Sequence, residues 1–140
     1  MSYKLFLDDV RTPESTYHYM RLPVYNTGGW VIVRDYNDFL STVIMRGVPE
    51  IISFDHDLAD FHYLNQEPDY DDETIEKTGY HCAKWLIYHC LDKKLELPPL
   101  VIVHSMNESG SKNIKSLFDT YYKVYDLDYE PIKMNPYFNI

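Results

Sequence analysis

Four short apolar segments recur along the chain, and each is followed by a longer polar or amphipathic segment. They are KLFL from Lys4, WVIV from Trp30, IISF from Ile51 and LVIV from Leu100. Runs of this length, rich in β-branched and aromatic residues, predict β-strands. Because they are almost continuously apolar, they are typical of strands buried on both faces of a parallel sheet.

Amphipathic segments predict three helices. Asp35 or Asn37 caps the first, which runs to about residue 45. The second opens at Thr78-Gly79 and runs to about residue 92, and the third begins near Ser111 after a turn over 106–110. The positions expected to face the core are Phe39, Leu40, Val43 and Ile44 in the first helix, Ala83, Leu86, Ile87, Cys90 and Leu91 in the second, and Ile114, Leu117, Phe118 and Tyr121 in the third.

Three other segments lack such a pattern. Residues 11–29 carry two prolines and no helical period, which predicts a loop with at most a short helix. Residues 59–77 are acidic and rich in tyrosine, and we interpret them as a long loop or lid whose surface is a possible contact for a protein partner. A short fifth strand is expected near 131–134.

Strands that alternate with helices predict a single α/β domain with a parallel sheet covered on both faces. The 140 residues suffice for one such domain and are too few for two of ordinary size. In these sheets ligands bind at the carboxyl ends of the strands, where the strand order reverses. Candidate functional residues are therefore those that directly follow a predicted strand.

Three of the four strands are followed directly by an acidic residue or a histidine. The residues are Asp8 and Asp9 after the first, Asp55, His56 and Asp57 after the third, and His104 with Ser105 after the fourth. Buried carboxylates that lie close together repel one another and raise one another's pKa. A divalent cation relieves this repulsion, and oxygen ligands of this kind suit Mg²⁺ or Mn²⁺. An acidic pair or a Ser after a strand is also common as a turn or helix cap, so the prediction of a site depends on the three groups meeting at one edge.

Further residues offer contacts to a phosphate group. In NESGSK, the helix N-terminus supplies backbone N–H groups, and Asn107, Gly110, Ser111 and Lys112 are the candidate binding residues, although an ordinary Ser cap explains the same pattern. Arg11 and Arg34 follow the first two strands and are candidates for charge-assisted contacts.

Charge and composition restrict the partners. A net charge of −9 argues against a protein that coats nucleic acid through a basic surface, but not against one that holds a single phosphate through a cation. No apolar run approaches the ~20 residues of a membrane span, and the N-terminus lacks the pattern of a signal peptide, so we expect a cytoplasmic protein. Cys82 and Cys90 lie roughly 12 Å apart along one predicted helix, too far for a disulfide, so we expect reduced thiols.

The acidic pair after the first strand, the Asp after the third and the Ser after the fourth resemble the receiver (CheY-like) domain. That resemblance implies a flavodoxin-like three-layer sandwich with strand order 2-1-3-4(-5). It also implies that Asp8 and Asp9 bind Mg²⁺, that Asp55 is the acceptor-like aspartate, and that Ser105 is the hydroxyl that contacts a phosphoryl group.

A divergent branch of that family is more similar still. LFLDDVRTP, WVIVRDYNDF, ISFDHDL, TGYHCAKWL and VIVHSMNESG together resemble the cyclic-phosphate processing receiver-like domain up to about Tyr122. The Asp-His-Asp and His-Ser-x-Asn elements are specific to this branch. The resemblance implies action on 2′,3′-cyclic phosphate ends of nucleotides or RNA, in RNA repair or in removal of a signalling nucleotide.

Parts that a signalling receiver needs are weak in this sequence. The first helix is degenerate, Lys133 is a poor match to the lysine of the fifth strand, and the pattern shows no final helix. These departures, together with the two added histidines, favour turnover over switching.

The hypothesis is a metal-dependent phosphoesterase in which Asp8, Asp9 and Asp55 hold the cation. We expect His104 to transfer protons, with His56 as the alternative. The reason is that alternation along a regular strand would place His56 on the opposite side from Asp55 and Asp57. Asp57 is expected to orient one of the two histidines. Attack by Asp55 itself is the chemical variant. A receiver-like phosphoacceptor or binding module without turnover, and a protein-interaction domain that uses residues 59–77, are the rival hypotheses.

Overall fold

The structure of the protein is a computed structural model that describes residues 2–58 and 77–124. In the described ranges four strands alternate with four helices. In chain order the elements are β1 (Lys4–Leu7), α1 (Pro13–Met20), a 3-10 turn (Pro23–Asn26), β2 (Trp30–Val33), α2 (Tyr36–Arg46), β3 (Ile51–Phe54), α3 (Gly79–Lys93), β4 (Leu100–Val103) and α4 (Glu108–Val124). All four predicted strands are confirmed.

The strands form one parallel sheet in the order β2-β1-β3-β4. Leu7 pairs with Val33 on one side and with Phe54 on the other, and Phe54 pairs with Val103, so the four strands end in one row. The predicted receiver-like α/β fold, with this strand order, is confirmed.

The backbone ladder continues one residue past this row. Asp8 N donates to the Val33 carbonyl at 3.1 Å, Asp55 N to the Leu7 carbonyl at 2.9 Å, and His104 N to the Phe54 carbonyl at 2.9 Å. Three ionisable residues are therefore fixed side by side by main-chain hydrogen bonds at the carboxyl edge.

The two faces of the sheet have separate cores. Alternation directs Leu7 and Phe54 toward α2, α3 and α4, where they pack in the larger apolar cluster. Phe6 lies on the opposite face with Met20 of α1 and Tyr25 of the 3-10 turn. Burying such a side chain contributes about 1.5–3 kcal/mol, so both faces help to hold the edge in place.

Most of the predictions for the helices are correct. The exceptions are two side chains predicted to face the core and the start of one helix. Ile44 is 63% exposed and Leu91 is 36% exposed, so they lie outside the core. α4 begins at Glu108 rather than near Ser111, so residues 108–110 of the predicted turn over 106–110 are helical.

The remaining sequence predictions fall on other parts of the chain. Residues 11–29 contain the eight-residue α1, whose start at Pro13 is capped by Thr12, followed by the 3-10 turn.

Cys82 and Cys90 are buried free thiols, as predicted. Residues 59–76 of the predicted lid and the predicted fifth strand lie outside the described residues. Within 2–58 and 77–124, no helix has the length and apolar character needed to span a bilayer.

Candidate functional site

Three carboxylates meet at the carboxyl edge of the sheet. One oxygen each from Asp8, Asp9 and Asp55 can be chosen so that all lie within 4.8 Å of one another. Asp8 is fully buried and Asp55 is only 4% exposed, whereas Asp9 is partly exposed. The loop after β1 supplies the first two residues and the end of β3 supplies the third, as the strand pattern predicts.

Asp55 is the carboxylate that this arrangement destabilises. Burial, followed by the charge of Asp8, raises its pKa to about 8, and Asp57 adds a smaller effect in the same direction. A hydrogen bond from Ser105 and the charge of Arg11 oppose the rise without cancelling it. Asp55 is thus a buried carboxyl group that needs either a proton or a nearby cation.

Asp8 is held as a carboxylate by several donors. Its Oδ1 accepts hydrogen bonds from the backbone N–H groups of Val10 at 2.9 Å and Arg11 at 2.8 Å, and its Oδ2 accepts one from His104 Nε2 at 3.0 Å. Burial alone would raise the pKa of Asp8, but these hydrogen bonds outweigh it and hold the pKa below its usual range. Asp8 is therefore charged and fixed in orientation.

His104 belongs to a buried chain of hydrogen bonds. Its Nδ1 lies 2.6 Å from Ser53 Oγ, which lies 2.7 Å from the Tyr25 hydroxyl, and its Nε2 contacts Asp8. The ring stacks on Phe6 with centroids 4.5 Å apart. Burial lowers the pKa of His104 against the opposing effect of Asp8, so the ring is neutral, with its proton on Nε2.

This arrangement points to a role for His104 other than the expected proton transfer, which stays a prediction. Both ring nitrogens of His104 already have protein partners. A proton-transfer residue must come within hydrogen-bond reach of the substrate. His104 in this position instead orients Asp8, much as a second-layer group orients a metal ligand.

Sequence reasoning missed three residues around His104. Tyr25 and Ser53 complete the hydrogen-bond chain, and the Tyr19 hydroxyl donates to the His104 carbonyl at 2.8 Å. The only available signal was Ser53, a single hydroxyl within the apolar run IISF, because a buried hydroxyl needs a partner. Nothing in the local pattern indicated either tyrosine.

His56 and Asp57 form a second buried pair. β3 ends at Phe54, so the strict alternation that would separate the two side chains does not continue, and His56 Nδ1 lies 2.8 Å from Asp57 Oδ1. The Asn107 amide donates to both Asp57 oxygens at 3.1 and 3.2 Å. Asp57 therefore orients His56, which was one of the two predicted arrangements.

Two glycines allow helices to approach this pair closely. A Cβ at Gly110 would overlap the His56 ring, and one at Gly79 would overlap the backbone of Asp55. Gly79 N also donates to the His56 carbonyl at 2.7 Å. The starts of α3 and α4 are thus packed directly on the end of β3, which fixes the position of His56.

The predicted phosphate seat has a structural role. Asn107 Oδ1 accepts from Gly110 N at 2.8 Å, which caps α4. Ser111 is buried, and its hydroxyl donates to the Ser105 carbonyl at 3.2 Å. Lys112 is exposed and pairs with Glu108 at 3.0 Å. These residues therefore have structural contacts within and beside α4, and phosphate binding by Gly110, Ser111 and Lys112 stays a prediction.

The two arginines differ in position. Arg34 Nη1 donates to the carbonyls of Asp8 at 3.1 Å and Arg11 at 2.6 Å, so it holds the loop that follows β1. Arg11 Nη1 lies 3.8 Å from Asp8 Oδ2, with about a third of its side chain exposed. Arg11 is the arginine that brings positive charge to the carboxylate cluster.

The carboxylate cluster fits a divalent cation. Its three ligand oxygens are of the type that Mg²⁺ and Mn²⁺ prefer, and two of the three carboxylates are buried. The raised pKa of Asp55 is the effect that a cation at this place would reverse. Metal binding by Asp8, Asp9 and Asp55 is therefore consistent with the geometry and stays a prediction.

Comparison with known proteins agrees with this geometry. No curated protein matches the chain. A family model described as the cyclic-phosphate processing receiver domain matches residues 3–120, which include every candidate site residue discussed above. The chain therefore belongs to the family of cyclic-phosphate processing receiver domains.

Proposed function

We propose that the protein is a metal-dependent phosphoesterase that acts on cyclic phosphates, with 2′,3′-cyclic nucleotides or RNA ends as its substrate class. The observation that carries the proposal is the cluster of Asp8, Asp9 and Asp55, whose oxygens lie within 4.8 Å of one another beside the buried His56–Asp57 pair. Family membership supports the cyclic phosphate as the reacting group.

The proposed reaction is hydrolysis. Water forms a new bond to phosphorus, one of the two P–O bonds to the ribose breaks, and the released ribose oxygen gains a proton. The product is a 2′- or 3′-phosphomonoester. A divalent cation held by the three aspartates would supply neutralisation of charge and polarisation of a phosphate oxygen.

The chain's own residues have distinct roles in this proposal. His56 is assigned to proton transfer because Asp57 pairs with its Nδ1 at 2.8 Å, the arrangement in which a carboxylate orients a general base. His104 holds Asp8 in its ligand orientation, and Arg11 adds positive charge close to the phosphate.

Hydrolysis of 2′,3′-cyclic AMP tests the proposal. We expect turnover with Mg²⁺ or Mn²⁺, none with chelator, and a loss of at least about 100-fold in Asp55→Asn, since several kcal/mol of charge stabilisation depend on this ligand. Asp92→Asn is the matched control because Asp92 lies on the surface with a 78% exposed side chain. Equal activity in Asp55→Asn and Asp92→Asn would refute the proposed site.

A second candidate function is a phosphoacceptor module without turnover. The observation that favours it is the hydrogen bond from Ser105 to Asp55 beside the two acidic residues of the first loop. That function predicts stable labelling of Asp55 by acetyl phosphate and no hydrolysis of cyclic nucleotides. The phosphoesterase proposal predicts hydrolysis and no persistent label.

A further inference from the structure

We propose that a surface cavity beside the carboxylate cluster binds the nucleoside part of the substrate. The cavity has a volume of about 460 Å³ and is lined by Arg11, Ser15, Tyr19 and Met106. We call it the nucleoside cavity. The inference rests on the proposed function and adds to it the part of the substrate that the protein recognises apart from the cyclic phosphate.

Three of the residues that line the nucleoside cavity are linked to the carboxylate cluster. Arg11 lines it and places Nη1 3.8 Å from Asp8 Oδ2. Tyr19 lines it and donates its hydroxyl to the His104 carbonyl at 2.8 Å. Met106 follows Ser105, the residue that hydrogen-bonds Asp55. A group attached to a phosphate at the three aspartates would therefore extend into this cavity.

The lining has the chemistry that nucleosides require. The Arg11 guanidinium carbon lies 5.3 Å from the centroid of the Tyr19 ring, so a planar cation and an aromatic ring are paired. Bases stack on aromatic rings and on guanidinium planes. Met106 is 45% exposed and offers a polarisable apolar side chain to the same space.

The volume of the nucleoside cavity and the fixed position of Tyr19 suit the binding of one nucleoside. A volume of about 460 Å³ lies within the ~300–1,000 Å³ typical of small-ligand sites. Tyr19 is held by its hydrogen bond to the backbone at the end of β4, so little side-chain freedom is lost when a base stacks on it.

A second cavity provides the control position. It is lined in part by Tyr88 and Leu91 of α3 and by Tyr121 of α4. Tyr88 lies nine residues beyond Gly79, the first residue of α3, so it is about 13 Å farther along the helix from the carboxyl edge. Replacing Tyr88 removes an exposed aromatic ring without touching the nucleoside cavity.

The test compares the affinity of two probes, adenosine 3′-monophosphate and inorganic phosphate, by calorimetry with Mg²⁺ present. Stacking of one base is worth ~1–3 kcal/mol, so we expect the nucleotide to bind at least about fivefold more tightly than phosphate. Tyr19→Leu and Met106→Ala should reduce that margin. Tyr19→Phe, which keeps the ring, and Tyr88→Leu should retain it.

The outcomes separate this inference from the function on which it rests. Equal affinities for the two probes, or a margin that survives either Tyr19→Leu or Met106→Ala, would overturn the nucleoside cavity and leave the phosphoesterase proposal standing. Binding of neither probe would overturn both. Because Met106 is a surface residue, its variant decides the matter even if Tyr19→Leu fails to fold.

A third probe distinguishes the two sources of the nucleoside. A trinucleotide with a 3′-phosphate should bind at least about tenfold more tightly than the mononucleotide if further stacking contacts hold an RNA end. Equal affinity would assign the cavity to free nucleotides. In both cases the affinity must fall in Met106→Ala, and an unchanged value would count against the nucleoside cavity.

Discussion

Replacement of Asp55 by Asn should make the metal-free protein more stable, and the gain should grow as the pH rises. Asp55 is 4% exposed and lies within 4.8 Å of two other carboxylates through its ligand oxygen. Burial, followed by the charge of Asp8, raises its pKa from 3.8 to about 8. Asn has nearly the same shape and carries no charge at any of these pH values.

The size of the effect follows from that pKa. A carboxyl group whose pKa is higher in the folded state contributes stability below its unfolded pKa, and this contribution is lost as the pH rises toward the folded pKa. Each unit of pKa corresponds to about 1.4 kcal/mol, and the dependence flattens near pH 8, so the loss between pH 6 and pH 8 is about 2 kcal/mol. The Asp55→Asn substitution abolishes this loss.

The assay is urea denaturation in the presence of chelator at pH 6 and pH 8. The difference in free energy of unfolding between Asp55→Asn and the wild type should increase by about 2 kcal/mol over this interval. Asp92→Asn should follow the wild type, since Asp92 is on the surface. A constant difference between Asp55→Asn and the wild type would refute the reasoning.

Addition of Mg²⁺ should narrow the difference in stability between Asp55→Asn and the wild type at pH 8. At a concentration 100 times its Kd, a bound cation stabilises the folded state by about 2.7 kcal/mol. We expect this gain in the wild type and a much smaller one in Asp55→Asn, which lacks one of the three carboxylates. Equal stabilisation of the two proteins would place the cation elsewhere.

Two further predictions concern the residues that support the site. Gly110→Ala should lower the free energy of unfolding in urea titrations by about 1–3 kcal/mol, because the added Cβ would overlap His56. Ser109→Ala, on the exposed side of α4, should have little effect. Equal effects of the two substitutions would contradict the close packing of Gly110 on His56. Ser53→Ala should weaken Mg²⁺ binding by about 10–100-fold in calorimetry, because His104 then loses the partner that fixes its tautomer. Tyr122→Phe, which also removes a buried hydroxyl, should leave the Mg²⁺ affinity unchanged, and an equal loss in both variants would indicate a general effect on the fold.

The sheet and the carboxylate row were predictable because they depend on local pattern. IISF and LVIV are continuous apolar runs, and parallel strands end at one edge, so the residues that follow them must meet there. Asp8, Asp55 and His104 can therefore be assigned to one edge without knowledge of the strand order, and the backbone hydrogen bonds place them there. The chemistry of the residue types then suggested a cation.

The roles of the histidines were not predictable in the same way. Whether His104 faces the substrate or the core depends on Ser53 and Tyr25, which are 51 and 79 residues away along the chain and join it only after folding. The same holds for Gly110, whose lack of a side chain allows close packing on His56. Contacts between distant segments decide such roles.

The most direct test of the phosphoesterase proposal is to follow 2′,3′-cyclic AMP by ³¹P NMR with the wild-type protein and Mg²⁺. The proposal predicts that the cyclic-phosphate signal is replaced by that of a phosphomonoester, that chelator stops the conversion, and that Asp55→Asn abolishes it. A cyclic-phosphate signal that persists with folded, Mg²⁺-bound protein would contradict it.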